Sequence, residues 1–255
     1  MIDVHCHLEQ HDYDKDRDDV ISKCKKAGLA AIITCCAHPS DFDLSIELVK
    51  KYRGFIFLTA ALHPEYVKEF SEKQIDDFIE RIILHKSDIV AIGETGLDFW
   101  WIKECEWQKR QEELFRQFIQ LAKELKKPLV IHARDAYERT LQILEQEDAR
   151  AVCLHMFGAA HLVKQVIENG WHVSLNTIIE RSKKHRKVAR DMPLNFIMLE
   201  TDAPWLGPGK TRNDPTSIKR VAELIAEIKG IAFDGVWKAC GENAKRFFQL
   251  QISSP

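Results

Sequence analysis

No uninterrupted apolar run in these 255 residues approaches the roughly 20 that a bilayer-crossing helix needs, so no transmembrane span is expected. The opening residues, MIDVHCH, carry neither a positively charged segment nor the apolar core of a signal peptide, which argues against secretion. Cysteines number seven, at positions 6, 24, 35, 36, 105, 153 and 240, and form no C-x-x-C pair. That suits a reducing compartment better than a disulfide framework, so a cytoplasmic protein is expected. Neither sign of charge dominates: 37 Lys and Arg stand against 39 Asp and Glu, a formal net charge of -2, which excludes a generally basic nucleic-acid coat. A small, locally positive centre stays open, because bound divalent ions are often the largest charges in a site. No low-complexity tract, long linker or shift of composition marks a second domain, so residues 1–255 are expected to form one.

Eight short runs rich in Ile, Val and Leu are present instead: MIDVH, LAAIITCC, FIFLTAALH, DIVAIGETG, KPLVIHAR, RAVCLHMF, WHVSLN and NFIMLETDAP. They are apolar on both faces, as buried parallel strands are. Between them lie helical patterns, clearest over residues 104–126, where Trp107, Leu114, Phe118, Leu121 and Leu125 recur at helical spacing. Eightfold alternation of strand and helix predicts an α/β fold, a closed (β/α)8 TIM barrel. An open doubly wound sheet has less support, because its first strand would lead into a G-x-G-x-x-G turn and here ends in His-Cys-His.

Residues of metal-binding type gather where the runs end. His5 and His7 close the first run, His63 the third, Glu94 the fourth, His132 the fifth, His155 the sixth and Asp202 the eighth. Side chains two apart on a strand emerge on one face, about 6 to 7 Å apart, so His5 and His7 are expected to point the same way. Taken singly, each histidine reads as a buried rim residue and each carboxylate as a helix cap. Together they read as a metal centre, because a barrel opens all its C-terminal strand ends onto one face.

The chain resembles the TatD family of metal-dependent hydrolases, within the amidohydrolase-like barrels. The matching stretches, in family order, are DVHCHL (3–8), LHPE (62–65), IGETGLD (92–98), QEELF (111–115), PLVIHARDA (128–136), LHMF (154–157), ETDAPWL (200–206) and RNDP (212–215). It departs from the commoner pattern at Phe99, where a tyrosine is usual, and in LHMFG, where HCFSG is usual. The resemblance implies that His5, His7, Glu94 and Asp202 bind one divalent ion and that Glu94, His132 and His155 bind a second. Zn, Mn, Mg, Co, Fe and Ni are all compatible with those donors. Phosphotriesterase-like relatives use a carboxylated lysine as the bridge, where this chain offers Glu94.

The implied activity is phosphodiester hydrolysis, a deoxyribonuclease of exonuclease type acting on nucleic-acid ends, with Glu94 and Asp202 catalytic and Asp202 as general base for a water between the ions. His63 would contact phosphate or protonate the leaving group, or simply form the turn at Pro64. Arg134, on the face of His132, and Lys210 and Arg212, in the loop after the eighth run, are candidate phosphate contacts. Trp100 and Trp101 either stack on unpaired bases or pack as a lid. The partner expected is a nucleic acid with single-stranded ends, with no membrane and the oligomeric state open. The alternative is hydrolysis of an amide or ester, such as an aminoacyl-tRNA, by the same centre.

Overall fold

The eight apolar runs become eight parallel strands that pair in chain order, as a computed structural model of residues 1–207 and 211–252 describes them. They are β1 (Ile2–Cys6), β2 (Ala31–Cys36), β3 (Ile56–Ala60), β4 (Ile89–Asp98), β5 (Leu129–Arg134), β6 (Val152–Leu154), β7 (His172–Leu175) and β8 (Ile197–Leu199). Main-chain bonds beyond β8 close the barrel: Thr201 N and Asp202 N donate to His5 O at 3.3 and 2.9 Å, and His7 N donates to Ala203 O at 2.7 Å.

Helices cover the outside: α1 (Arg17–Lys26), α2 (Phe42–Lys51), α3 (Glu72–Leu84), α4 (Cys105–Leu125), α5 (Tyr137–Gln146), α6 (Val163–Glu168), α7 (Lys183–Asp191), α8 (Ile218–Lys229) and α9 (Phe233–Phe247). The helix expected over 104–126 is α4, which stops where Lys126 turns left-handed at φ 55°. Among the described residues α9 exceeds the eightfold alternation. It follows α8 without a strand between them and packs on β1 and β8.

Two apolar layers hold this arrangement. The larger lies between strands and helices and includes Phe115, Phe118, Phe157 and Trp171. The smaller fills the barrel itself with Ile2, Val4, Ala31, Ile33, Ala91, Val130, Cys153 and Met198, and Phe248 and Leu250, after α9, close it from below. Burying such surface at roughly 25 cal/mol per Å² is the main force favouring the fold.

Three slips of register interrupt the pairing, between Asp3 and Cys6, Leu58 and Thr59, and Ile92 and Thr95. Each adds a residue on one strand and re-aims the side chains that follow. At the third slip a Cβ on Gly93 would lie 2.5 Å from Val130 O, and one on Gly96 would lie 2.0 Å from His132 O. Only glycine lets β4 come this close to β5, and Glu94 stands between the two.

Candidate metal centre

Glu94 is the hub of the C-terminal mouth. It is buried, with His5 Nε2 3.2 Å from Oε2 and His132 Nδ1 2.8 Å from Oε1. His63 Nε2 and His155 Nε2 approach Oε1 to 3.6 and 3.7 Å. Asp202 completes the group, its Oδ1 3.6 Å from His7 Nε2 and 3.8 Å from His5 Nε2. Its backbone is left-handed, at φ 57°, where the bond from Asp202 N to His5 O anchors it. The mouth thus collects all six residues expected as ligands, together with His63. The strand argument for His5 and His7 needs one amendment: β1 ends at Cys6, and the rings meet, Nε2 to Nε2 at 3.2 Å, across the slip in register.

Behind the rings stand three buried carboxylates that the sequence reading did not single out. Glu9 lies 3.1 Å from His7 Nδ1, Asp98 2.9 Å from His132 Nε2, and Glu200 2.9 Å from His155 Nδ1. Each is itself held. Thr34 Oγ1 donates to Glu9 at 2.6 Å, the amides of Trp100 and Trp101 donate to Asp98 at 2.9 and 2.8 Å, and Ser174, Asn176 Nδ2 and the Met156 amide donate to Glu200. A carboxylate on the far nitrogen fixes a histidine's tautomer and ring angle and makes the near nitrogen a better donor.

The protonation pattern follows from this crowding. Burial alone would raise the Glu94 carboxyl, but His155, His5 and His63, with the His132 hydrogen bond, hold it well below the usual range. Burial opposes charge on His132 and His155, yet Asp98 and Glu94 lift the first to about 9, and Glu200 and Glu94 lift the second to about 10. Burial, and then the charge of His132, push His63 down to about 3. Asp202 is lowered against its burial by His7 and His155. At His132 and His155 the neighbouring carboxylates outweigh desolvation, whereas at His63 desolvation wins.

A divalent ion fits this donor set. Ligand atoms of His5, His155 and Asp202 lie within 4.8 Å of one another, as do those of His63, Glu94 and His132. The His5 and His7 Nε2 atoms, 3.2 Å apart, face each other as two ligands of one cation do. Imidazole and carboxylate suit Zn and its transition-metal neighbours. Within the group, His155 stacks on His5 at 3.9 Å between ring centroids, and His63 stands where Glu94 and His132 meet.

A cleft of about 410 Å³ opens above these groups, lined by His63, Glu65, Tyr66, Trp101, Arg134, Met156 and Trp205 besides the donors. Arg134 lies at the rim, its guanidinium 5.1 Å from the Trp100 ring centroid and 5.7 Å from that of Trp101. Trp205 stands edge-on to His7 at 4.6 Å and is half-exposed. His63 takes part in the turn, where Nδ1 accepts from Glu65 N at 3.2 Å, while Nε2 faces Glu94. Arg212 is turned away from the cleft, donating to Asp12 O at 2.5 Å and pairing with Asp16, over the Tyr13 ring. That ion pair occupies the fork a phosphate would need. Lys210 lies outside the described residues.

The likeness to known proteins runs the length of the chain. The family model described as TatD related DNase matches residues 2–249. Deoxyribonuclease TATDN3 of Homo sapiens is 35% identical over 258 residues, covering 97% of this chain and 94% of the human one. A Methanocaldococcus jannaschii protein, named as an uncharacterized metal-dependent hydrolase, is 36% identical over 253 residues, with 98% of each chain covered. The crystal structure of a TatD homologue from Escherichia coli K12 superposes with a TM-score of 0.90 at 24% identity over 98% of both chains, a likeness of fold.

Proposed function

This chain belongs to the TatD-related DNase family, and from that premise we propose that it is a single-domain, divalent-metal-dependent phosphodiesterase acting on nucleic-acid ends. The observation that carries the reading is Glu94, one buried carboxylate within 3.7 Å of four imidazole nitrogens that approach it from four different strand ends. His5, His7, Glu94, His132, His155 and Asp202 would hold two ions, with Glu94 shared, and Zn, Mn, Mg, Co, Fe and Ni are the candidates. Bound there, such ions supply positive charge that acidifies a water and neutralises phosphate oxygens.

The remaining roles belong to side chains. Asp202, kept ionised, accepts the proton of the attacking water at a carboxylate oxygen. Glu9, Asp98 and Glu200 hold three rings at fixed angles, so little reorganisation is left for the reaction. Arg134 pairs with a phosphate oxygen at the rim, and His63 contacts the scissile group from inside the cleft. Trp101 and Trp205 offer ring faces to unpaired bases. An amide or ester hydrolase would use the same donors, but this aromatic and cationic rim favours a nucleic acid. Seven free cysteines, six of them buried, support a reducing, cytoplasmic setting.

The test is hydrolysis of end-labelled single-stranded DNA and RNA by metal-stripped protein re-supplied with one divalent ion at a time. Laddering from one end that needs metal and disappears in Glu94→Ala establishes the reading. Two bound ions without any cleavage would move the assignment to an ester or amide.

A further inference from the structure

Resting on that reading, we propose that the outer face of α7 is a track for the phosphates of the strand whose end sits in the cleft. Residues 181–190, RSKKHRKVAR, hold six of the chain's Lys and Arg and no acid, in a protein whose net charge is -2. A groove of about 450 Å³ is lined by Lys183, Arg186, Lys187 and Arg190, with Ile228 of α8 as its apolar side. Glu227 lies 3.4 Å from Arg186, and Asp191 lies 2.8 Å from Arg190. Among the described residues, no carboxylate comes within 4.0 Å of Lys183, Lys184 or Lys187.

Helix stability does not explain Lys183 and Lys184. The N-terminal end of a helix carries partial positive charge and favours acids, yet the first turn of α7 has none and begins Lys183-Lys184. An anion lying there would be attracted by both the helix end and the lysines.

The face of α7 opposite the groove rests against the wall of the mouth. His185, on α7, donates from Nε2 to Met156 O at 3.3 Å, and Met156 lines the cleft. In the segment leading to α7, Thr177 Oγ1 donates to Leu206 O at 2.8 Å, next in sequence to Trp205, which lines the cleft. The nine residues of α7 extend about 14 Å, which spans about four phosphates at the roughly 3.4 Å rise of a stacked strand. A strand leaving the cleft past Met156 would round the N-terminal end of α7, at Lys183 and Lys184, to enter the groove.

The experiment measures binding of a fluorescent 20-nucleotide single strand to the metal-loaded, non-cleaving Asp202→Asn protein as salt is raised. The comparison is with the same protein carrying Lys183→Gln, Lys184→Gln and Lys187→Gln. The track predicts at least about tenfold weaker binding, and a slope of log affinity on log salt shallower by about 2, since each phosphate contact on a single strand contributes about 0.7. Replacing the same three lysines by arginine should keep the wild-type slope. In the cleaving protein, the three glutamines should raise KM for long oligonucleotides and leave it unchanged for a two-nucleotide substrate, while kcat holds. A disturbance of structure would lower kcat on a two-nucleotide substrate as well.

An unchanged salt slope in the glutamine variant, with wild-type cleavage intact, would overturn the track and leave the nuclease standing. A wild-type chain that neither binds nor cleaves oligonucleotides would remove both. Adsorption of the wild type to anionic vesicles in place of oligonucleotides would assign the face to a membrane surface and likewise overturn the track.

Discussion

The two ends of this barrel are built from the same eight strands and have opposite chemistry. At the lower end the interior is Ile2, Val4, Ala31, Ile33, Ala91, Val130, Cys153 and Met198, stoppered by Phe248 and Leu250. At the mouth it is His5, Glu94, His132, His155 and Asp202, with carboxylates behind His132 and His155 and a main-chain bond holding Asp202. The change comes within a few residues: Val4 gives way to His5, Val130 to His132, Cys153 to His155. The lower end gains free energy by excluding water, while the mouth spends some of it to hold charges in place. Changes at the mouth should therefore alter chemistry with little effect on folding, and changes below should do the reverse.

The largest expected effect that would sharpen this division is Asp202→Asn. It should lower kcat by about 10²- to 10⁴-fold, the usual worth of a general base, with the melting temperature held; a rate near wild type would remove Asp202 from the role. At the other end, Phe248→Ala should cost about 3–5 kcal/mol in a denaturant titration, as truncation of a buried phenylalanine does, while activity per folded molecule stays the same. If activity instead fell with stability intact, the two ends would not be separable. Next in size, Glu200→Gln keeps the shape of the group behind His155 but removes its charge. Metal affinity, followed by competition with a chelating dye, should weaken about 10- to 100-fold.

The smallest effect concerns His172, at the start of β7 near Phe196 and Phe247. Burial, and then Arg246, push its pKa down to about 4. The unfolded chain, with a histidine near 6.5, then binds more protons than the native one between those values. Stability is present in full above about pH 6.5 and falls as pH drops toward about 4. The decline should be shallower in His172→Gln when unfolding is measured across that window.

Much of the fold was legible because each strand is a continuous apolar run with its own helix behind it. The exception, α9, was hidden by its position, since no strand precedes it and its task is to close the barrel's lower end. The mouth was legible because histidines at run ends are unusual for a structural role. The carboxylates behind them were not, although the signals lie close by: Glu9 is two residues after His7, Asp98 four after Glu94, and Glu200 two before Asp202. Nothing local marks which acid will face which ring. Arg212 shows the same limit, since its partner Asp16 is 196 residues away. The basic face of α7 vanished into a net charge of -2, a sum that is blind to where charges stand.

The central claim is that Glu94 organises the mouth for two cations. The measurement that tests it most directly is the metal content of stripped protein after equilibrium dialysis against each divalent ion in turn, wild type beside Glu94→Gln. Two ions per wild-type chain, with loss of at least one in the variant and an unchanged melting temperature of the stripped form, is the predicted result. An unchanged ion count in Glu94→Gln, or no stoichiometric binding by the wild type, would contradict it.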